Sequence, residues 1–287
     1  MNDQAEALRN KISNIEKDST PKTIAVVSGK GGVGKSNFSL NFAISLSKRG
    51  QKVLLFDMDV GMGNIDILMG RTTKSTIVDF FKGDKSLKDV VMEGPDNIRY
   101  IAGGSGLSQL IKLDEELVEF FSNELSKLIN DYDYIIFDMG AGVSEESLNF
   151  ILAVDEIVVI TTPEPTSITD AYAMMKYIHL NNQDLPILIM VNRVQSEKEG
   201  KETFNRLKMV LKRFLDRDVI LLGTLPDDKA IHQSVVKQVP FINNEKSNAS
   251  KALYKITERY EKQSFNTLPP SNHFLFVSKL KQFLFER

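Results

Sequence analysis

Residues 23–36 read Thr-Ile-Ala-Val-Val-Ser-Gly-Lys-Gly-Gly-Val-Gly-Lys-Ser. A run typical of a buried strand leads into a turn that fits the phosphate-binding pattern G-x-x-x-x-G-K-[S/T], and a helical pattern follows directly. Glycine lets backbone N–H groups face a phosphate, and the helix directs its positive end at the same point. We expect the Lys35 ammonium to reach the β- and γ-phosphates of a nucleotide and the Ser36 hydroxyl to bind Mg²⁺. The whole loop comprises Gly29, Lys30, Gly31, Gly32, Val33, Gly34, Lys35 and Ser36.

The rest of the chain alternates short apolar runs with helical patterns. This alternation predicts an α/β fold of three layers, with a mostly parallel sheet and helices on both faces. Ligands then collect at the carboxyl ends of the strands. The predicted strands are Thr23–Val27, Lys52–Phe56, Asn97–Ile101, Tyr134–Phe137, Ile157–Thr161, Ile187–Val191 and Val219–Leu222. The predicted helices fall at about Asp3–Ile15, Lys35–Arg49, Glu115–Asn130, Glu145–Ala153, Thr166–His179, Lys198–Leu215 and Ala249–Lys262.

The composition excludes several classes of protein. No cysteine occurs, so disulfides, thiolate metal sites and iron–sulfur ligation are excluded. The formal net charge of −2 gives no overall attraction to nucleic acid. The polar N-terminus does not resemble a signal peptide, and no apolar run reaches the roughly 18 residues that a membrane-spanning helix needs. We therefore expect a cytoplasmic protein.

The phosphate-binding loop carries a second lysine, Lys30, near its start. The run Lys30–Ser36 resembles the deviant Walker A box of the MinD/ParA ATPases. The resemblance implies a homodimer, formed with ATP, in which Lys30 crosses to the nucleotide of the partner and neutralises charge there as an arginine finger does. Hydrolysis of ATP to ADP and phosphate would then depend on dimerisation.

Two acidic segments are also similar to that family. The run Phe56–Asp66 resembles switch I, which implies that Asp59 orients the attacking water and that Asp57 lies near the metal. The run Asp138–Gly142 resembles Walker B followed by switch II, which implies that Asp138 holds Mg²⁺ through water.

Three further segments match family positions around the base and the interface. Asn192 matches the asparagine that reads adenine, and an amide paired with the amine and ring nitrogen of adenine favours ATP over GTP. Pro226 and Asp227 match the loop that lines the base. Thr162–Glu164 matches a loop near the dimer interface.

Three branches of the family remain open: MinD-type division regulators, ParA-type DNA partition motors and flagellar regulators of the FlhG (YlxH) type. A partition motor needs a basic patch to bind DNA, whereas the available cations are more simply explained as a solvated helix face, so we expect no specific nucleic acid partner. These cations are Lys208, Lys212, Arg213 and Arg217.

The C-terminal residues 273–287 are mostly apolar, and lysines flank their apolar face. A helix there would resemble the amphipathic membrane-targeting sequence of MinD-type proteins, with Lys279 and Lys281 able to reach lipid head groups. The alternative is a helix packed on its own core. Two weak copies in a dimer bind by avidity, so we expect reversible attachment to the inner face of the cell membrane, with the helix docked in the monomer and released with ATP. The apolar face comprises Phe276, Val277, Leu280, Phe283 and Leu284.

Twenty-two residues precede Thr23, whereas division regulators of the MinD type begin almost at the strand before the phosphate-binding loop, so this segment favours the flagellar branch. The run Asp3-Gln4-Ala5-Glu6-Ala7-Leu8-Arg9 resembles the D-Q-A-x-x-L-R element of FlhG proteins. The resemblance implies that Asp3, Gln4, Ala5, Leu8 and Arg9 stimulate FlhF, an SRP-type GTPase. An ordinary helix capped by Asp3 is the alternative.

The resemblance thus implies an ATP-dependent dimerising switch that regulates the number or placement of flagella. Residues 1–22 would form the activator helix and linker, residues 23–263 the ATPase domain, and residues 264–287 a linker and membrane helix. The resemblance adds the flagellar C-ring proteins FliM and FliN (or FliY) as partners. A MinD-type division regulator, a ParA-type partition ATPase and a pure adaptor remain as alternatives.

Overall fold

The computed structural model describes residues 21–59, 63–104, 115–143, 145–262 and 276–285. Its strands within these ranges are β1 (Lys22–Ser28), β2 (Val53–Met58), β3 (Met92–Glu93), β4 (Arg99–Ile101), β5 (Tyr134–Ala141), β6 (Glu156–Thr161), β7 (Ile187–Val194) and β8 (Ile220–Pro226). They form one sheet in the order β3-β4-β2-β5-β1-β6-β7-β8. Neighbouring strands are parallel except at the edge, where β3 runs antiparallel to β4.

Helices cover both faces of the sheet. They are α1 (Lys35–Ser47), α2 (Ile65–Leu68), α3 (Ile77–Phe81), α4 (Glu115–Ile129), α5 (Glu145–Ala153), α6 (Pro165–Asn181), α7 (Glu197–Leu215), α8 (Lys229–Val236), α9 (Asn248–Glu261) and α10 (Phe276–Phe285). Alternate strand residues point to opposite faces, so Ile24 and Val26 pack with α1 and α9, while Ala25 and Val27 belong to the core under α4, α5, α6, α7 and α10. Three layers result, which confirms the predicted fold class.

Each of the seven predicted strands is present, with ends that differ by a few residues. The predicted helices within the described ranges are also present, and Asp3–Ile15 lies outside them. The sequence did not indicate β3, α2, α3 or α8. The first three span two to five residues, too short for a periodic pattern, because one helical turn takes about 3.6 residues.

The strand order determines where the candidate site forms. Because β5 lies between β1 and β2, the carboxyl ends of these three strands meet at one edge of the sheet. Asp138 is in register with Asp57 on one side and with Val26 on the other. The loop after β1 and both aspartates therefore converge on one point, as expected of ligand sites in parallel sheets.

The C-terminal helix α10 packs on the body of the protein. Phe276 and Leu280 are buried in the same core as the strands, and the Phe276 ring stacks on Phe137 of β5 with 5.0 Å between centroids. The helix also contacts α4 and α5. Val277 is half-buried, and the side chains of Phe283 and Leu284 lie outside the described part of the structure. Within the described ranges, no helix is long and apolar enough to cross a bilayer.

Candidate nucleotide site

The loop between β1 and α1 has a conformation that requires glycine. Gly32 and Gly34 have φ of 77° and 93°, which L side chains rarely adopt. A Cβ atom at Gly34 would also lie 2.4 Å from Nδ2 of Asn192, and one at Gly29 would lie 2.3 Å from the carbonyl oxygen of Asp170 in α6. The loop is thus packed closely against its surroundings, and α1 begins immediately after Gly34.

Lys35 makes a buried ion pair beneath this loop. Its Nζ lies 2.9 Å from Oδ1 of Asp138, which also accepts a hydrogen bond of 2.8 Å from Ser39 Oγ. The other oxygen of that carboxylate, Oδ2, is buried and has no hydrogen-bond partner among the described residues. A buried acceptor without a partner is costly, so this oxygen is suited to a ligand that the chain itself does not supply.

Asp57 lies beside Asp138 and is equally buried. Its carboxylate accepts backbone N–H groups from Asp59 at 3.0 Å and Asn64 at 3.1 Å. Burial, followed by the negative charge of Asp138, raises the pKa of Asp57 to about 7. In a pair of adjacent carboxylates, the negative charge of one disfavours ionisation of the other. Such a pair is a suitable environment for a divalent cation.

Ser36 and Asp59 are the remaining residues that the sequence predicts for the phosphate and metal site, at the carboxyl ends of the strands. The Lys35 ammonium lies 3.4 Å from the Ser36 hydroxyl, so Ser36 is close to the Lys35–Asp138 pair. Asp59 is half-buried at the end of β2, two residues beyond Asp57. The residues that follow it, 60–62, lie outside the described ranges.

Lys30 points away from this group of residues. Its Nζ lies 2.7 Å from Glu164 Oε2 and 2.9 Å from Thr166 Oγ1, at the start of α6. The hydrogen bond from Lys30 lowers the pKa of the Glu164 carboxyl. The sequence matched Glu164 only to an interface loop and did not indicate that it binds Lys30 within the same chain.

A cavity of about 620 Å³ adjoins the phosphate-binding loop and contains the predicted base-binding residues. Asn192 donates from Nδ2 to the Val33 carbonyl at 2.8 Å and accepts from the backbone N–H of Arg193 at 2.9 Å. The walls include Pro226 and Asp227, as predicted, and also Ile231 and His232 of α8. The sequence did not indicate these last two residues, because its pattern did not predict the helix that carries them.

Two other polar residues were missed. The Arg193 guanidinium donates to the Gly32 carbonyl at 2.8 Å, so it holds the phosphate-binding loop from outside. Ser39 binds Asp138 from one turn beyond Lys35 on α1. The spacing of four residues between Lys35 and Ser39 was a signal, because such residues share one face of a helix.

Comparison with known proteins agrees with this geometry. A family model described as ParA, NUBPL iron-transfer P-loop NTPase, matches residues 19–260. The chain belongs to the MinD/ParA family of P-loop ATPases. The match does not extend to iron–sulfur chemistry through thiolates, because the chain contains no cysteine.

Curated relatives and solved structures show which members of the MinD/ParA family the chain is similar to. The chain is 32% identical to the antiactivator FleN of Pseudomonas aeruginosa over 91% of its length and 94% of that protein. It is 39% identical to the flagellum site-determining protein YlxH of Helicobacter pylori, over 74% of each chain. The septum site-determining protein MinD of Pyrococcus horikoshii, solved with Mg-ADP, matches with a TM-score of 0.68 and 26% identity over 85% of this chain and 98% of that one.

The predicted resemblance to flagellar regulators of this ATPase family is thereby confirmed. Two of the basic residues considered for a DNA patch make contacts within the chain. Arg217 is buried and donates to the Leu185 carbonyl, and Lys212 is paired with Asp216 at 2.8 Å and Asp218 at 3.0 Å. Two of the four cations are therefore engaged within the chain.

Proposed function

We propose that this ATPase is a nucleotide-controlled switch that regulates the number or placement of flagella. The observation that carries the proposal is the arrangement of two lysines in one phosphate-binding loop, Lys35 at a buried carboxylate and Lys30 on the surface. Relatives named as the antiactivator FleN and the flagellum site-determining protein YlxH supply the biological context.

In this proposal ATP is the substrate, and three residues act on it. Lys35 exchanges its bond to Asp138 for contacts with the β- and γ-phosphates, and Asp59 orients the water that attacks the γ-phosphate. Lys30 of one protomer reaches the nucleotide of its partner, where its charge stabilises the transition state. Since Lys30 is bound to Glu164 of its own chain, this contact must break when the homodimer forms.

Mg²⁺ fits the paired carboxylates and the unpartnered Asp138 oxygen. Ser36, Asp57 and Asp138 would hold it, with the phosphates completing its coordination, as is usual for this ion. Bound there, the ion would neutralise charge on the phosphates. Asn192, Pro226 and Asp227 would contact the adenine, which matches the position of the adjoining cavity.

The proposed membrane attachment depends on α10 leaving the core. Phe276 stacks on Phe137, which immediately precedes Asp138, and α10 contacts α5 just after the predicted switch II segment. A structural change around Asp138 on nucleotide binding would therefore reach α10 directly, through Phe137 and α5. Release would present Phe276, Val277 and Leu280 to lipid, and ADP would favour the docked form.

Residues 3–9, which lie outside the described ranges, would stimulate FlhF, and Gln4 would position water against a phosphate. FliM and FliN (or FliY) would be the C-ring partners. These assignments rest on the sequence resemblance and on the flagellar relatives.

Two experiments test the proposal. In the source organism, an Asp59→Ala replacement should change the number or position of flagella while cell division stays normal. Displaced septa with normal flagella would instead assign the protein to division-site selection. In vitro, a peptide covering residues 1–14 should stimulate an FlhF-type GTPase and its Gln4→Ala version should not. No stimulation by either peptide would remove the role of Gln4.

A further inference from the structure

A second surface feature lies at the β8 edge of the sheet, next to the cavity proposed for adenine, with which it shares Gln195 and Pro226. Within the described ranges β8 pairs only with β7, and a cavity of about 570 Å³ lies over it. The floor is formed by Leu221, Gly223, Thr224 and Pro226, and the walls by the first turns of α7 and by α9.

Four exposed cations line this cavity, which we call the basic groove: Lys201, Lys251, Lys255 and Arg259. Lys201 lies on the α7 wall, where it pairs with Glu197 at 2.9 Å. The other three lie on α9, and neither Lys251 nor Lys255 takes part in an ion pair among the described residues. Because Glu197 offsets the charge of Lys201, the net positive charge of the groove lies on the α9 side.

The α9 cations are regularly spaced. Residues 251, 255 and 259 differ by four, so they share one face of the helix at intervals of about 6 Å. Arg259 donates to the carbonyls of Leu221 and Leu222, which holds its guanidinium at one end of the row. Lys255 contributes to lowering the pKa of Glu197, for which the hydrogen bond from Lys201 is the main cause, so its charge reaches across the groove.

This spacing matches an extended peptide. Alternate side chains of a strand lie on one face at intervals of about 6.4–6.8 Å, close to the interval between the cations. We propose that the basic groove binds an extended segment of a partner protein with Asp or Glu at every second position.

The charges around the groove favour a short acidic segment over nucleic acid. Two exposed carboxylates lie near the row: Glu197 on the α7 wall, and Glu258, which adjoins Arg259 in the chain and pairs with Lys262 at 2.6 Å. They would repel a long polyanion that carries a charge at every unit, whereas a peptide with alternating acids can place neutral residues opposite them.

The test uses the full chain and a fluorescein-labelled peptide of eight residues in which Asp and Thr alternate. A second peptide of the same composition has its four Asp residues in one block, and a twelve-nucleotide single strand is the third ligand. The variant Lys251→Glu/Lys255→Glu is compared with Lys82→Glu/Lys176→Glu, which makes the same charge change at two exposed lysines elsewhere. Fluorescence anisotropy gives the affinities, and ATP turnover checks that each variant folds.

We expect the alternating peptide to bind the wild type, and the block peptide to bind more weakly. The groove variant should lose at least about tenfold in affinity and the control variant less than about twofold, with ATP turnover unchanged in both. The proposal is overturned if the alternating peptide does not bind, if both variants lose affinity equally, or if the oligonucleotide binds more tightly. If the groove variant does not fold, Lys251→Gln/Lys255→Gln is measured against Lys82→Gln/Lys176→Gln by the same criteria.

Discussion

Lys30 and Lys35 lie five positions apart in one loop, yet their surroundings differ sharply. The Lys35 side chain is 7% exposed and pairs with a carboxylate that is completely buried, whereas the Lys30 side chain is 30% exposed and its partner Glu164 is 58% exposed. Removing one partner of a buried pair leaves an uncompensated charge, while an exposed pair contributes little and exchanges easily. One lysine is thus fixed in its own site, and the other is held where it can leave.

The largest effect is expected at the fixed lysine. Lys35→Ala removes the ammonium group proposed to contact the phosphates and leaves Asp138 without its charge partner. We expect kcat/KM for ATP to fall by at least about 10²–10³, together with a lower Tm. Steady-state phosphate release and thermal unfolding measure the two effects. Near-normal turnover would show that Lys35 is not the phosphate ligand.

Lys30 can be tested by mixing variants. Lys30→Ala and Asp59→Ala should each be inactive, because each site needs Asp59 from its own chain and Lys30 from the partner. An equimolar mixture should recover about a quarter of the wild-type rate, since half of the dimers are mixed and each contains one complete site.

Two results would argue against a shared site. A mixture as inactive as its components would place Lys30 in the site of its own chain. Full activity of Lys30→Ala alone would remove it from catalysis. A mixture of Lys35→Ala with Asp59→Ala is the matched control and should stay inactive, because both of those residues act within one chain.

Asp57, beside the buried Lys35–Asp138 pair, should make both stability and the affinity for Mg-ADP depend on pH. The pKa of Asp57 rises from 3.8 to about 7 on folding, so the folded chain without ligand keeps a proton that the unfolded chain loses. The stability that this proton provides is complete below about pH 4 and is lost as the pH rises through about 7. A cation displaces the proton, so the affinity for Mg-ADP should increase up to about tenfold per pH unit below pH 7.

Calorimetry in buffers of different ionisation enthalpy measures the proton released on binding. We expect the release at pH 6 to be close to one proton and to decline above pH 7. Asp57→Asn should bind more weakly and without this release. A wild-type affinity for Mg-ADP that does not vary between pH 5.5 and 7 would contradict the assignment of Asp57.

The smallest effect is expected at the exposed pair. Glu164→Gln removes the charge that holds Lys30 and should lower the protein concentration needed for half-maximal ATP turnover by about two- to fivefold. Glu199→Gln lies on the same cavity without contacting Lys30 and is the control. A higher concentration requirement for Glu164→Gln would mean that Glu164 supports the dimer.

The sequence predicted those features that depend on local pattern. Thr23–Val27, the glycine-rich turn and Lys35 are contiguous, so their order alone indicates strand, loop and helix. Asp57 and Asp138 were assigned to one metal site by the resemblance to the MinD/ParA family, and the strand order that brings them together is a finding of the structure. The contact of Lys30 with Glu164, 134 residues away, could not be predicted, because nothing local distinguishes Glu164 from other exposed acids.

The C-terminal helix shows a different limit of sequence analysis. A face that carries Phe276 and Leu280 suits lipid and protein core equally, because both are apolar surroundings. The sequence predicted a membrane surface as the target, with docking on the core in the monomer. In the described chain Phe276 and Leu280 are buried, and the Phe137 ring that receives Phe276 could not be identified from the pattern alone.

The docked tail has a practical consequence for any shortened form of this protein. Removal of residues 264–287, a natural choice for an isolated catalytic domain, would also remove Phe276 and Leu280 from the interior. The Phe137 ring and neighbouring apolar side chains of α4 and α5 would then face water, and exposed apolar patches promote aggregation. Such a truncation is equivalent to several large-to-small substitutions in a core. Aggregation or a low yield of the truncated protein would therefore reflect lost packing rather than a requirement for lipid.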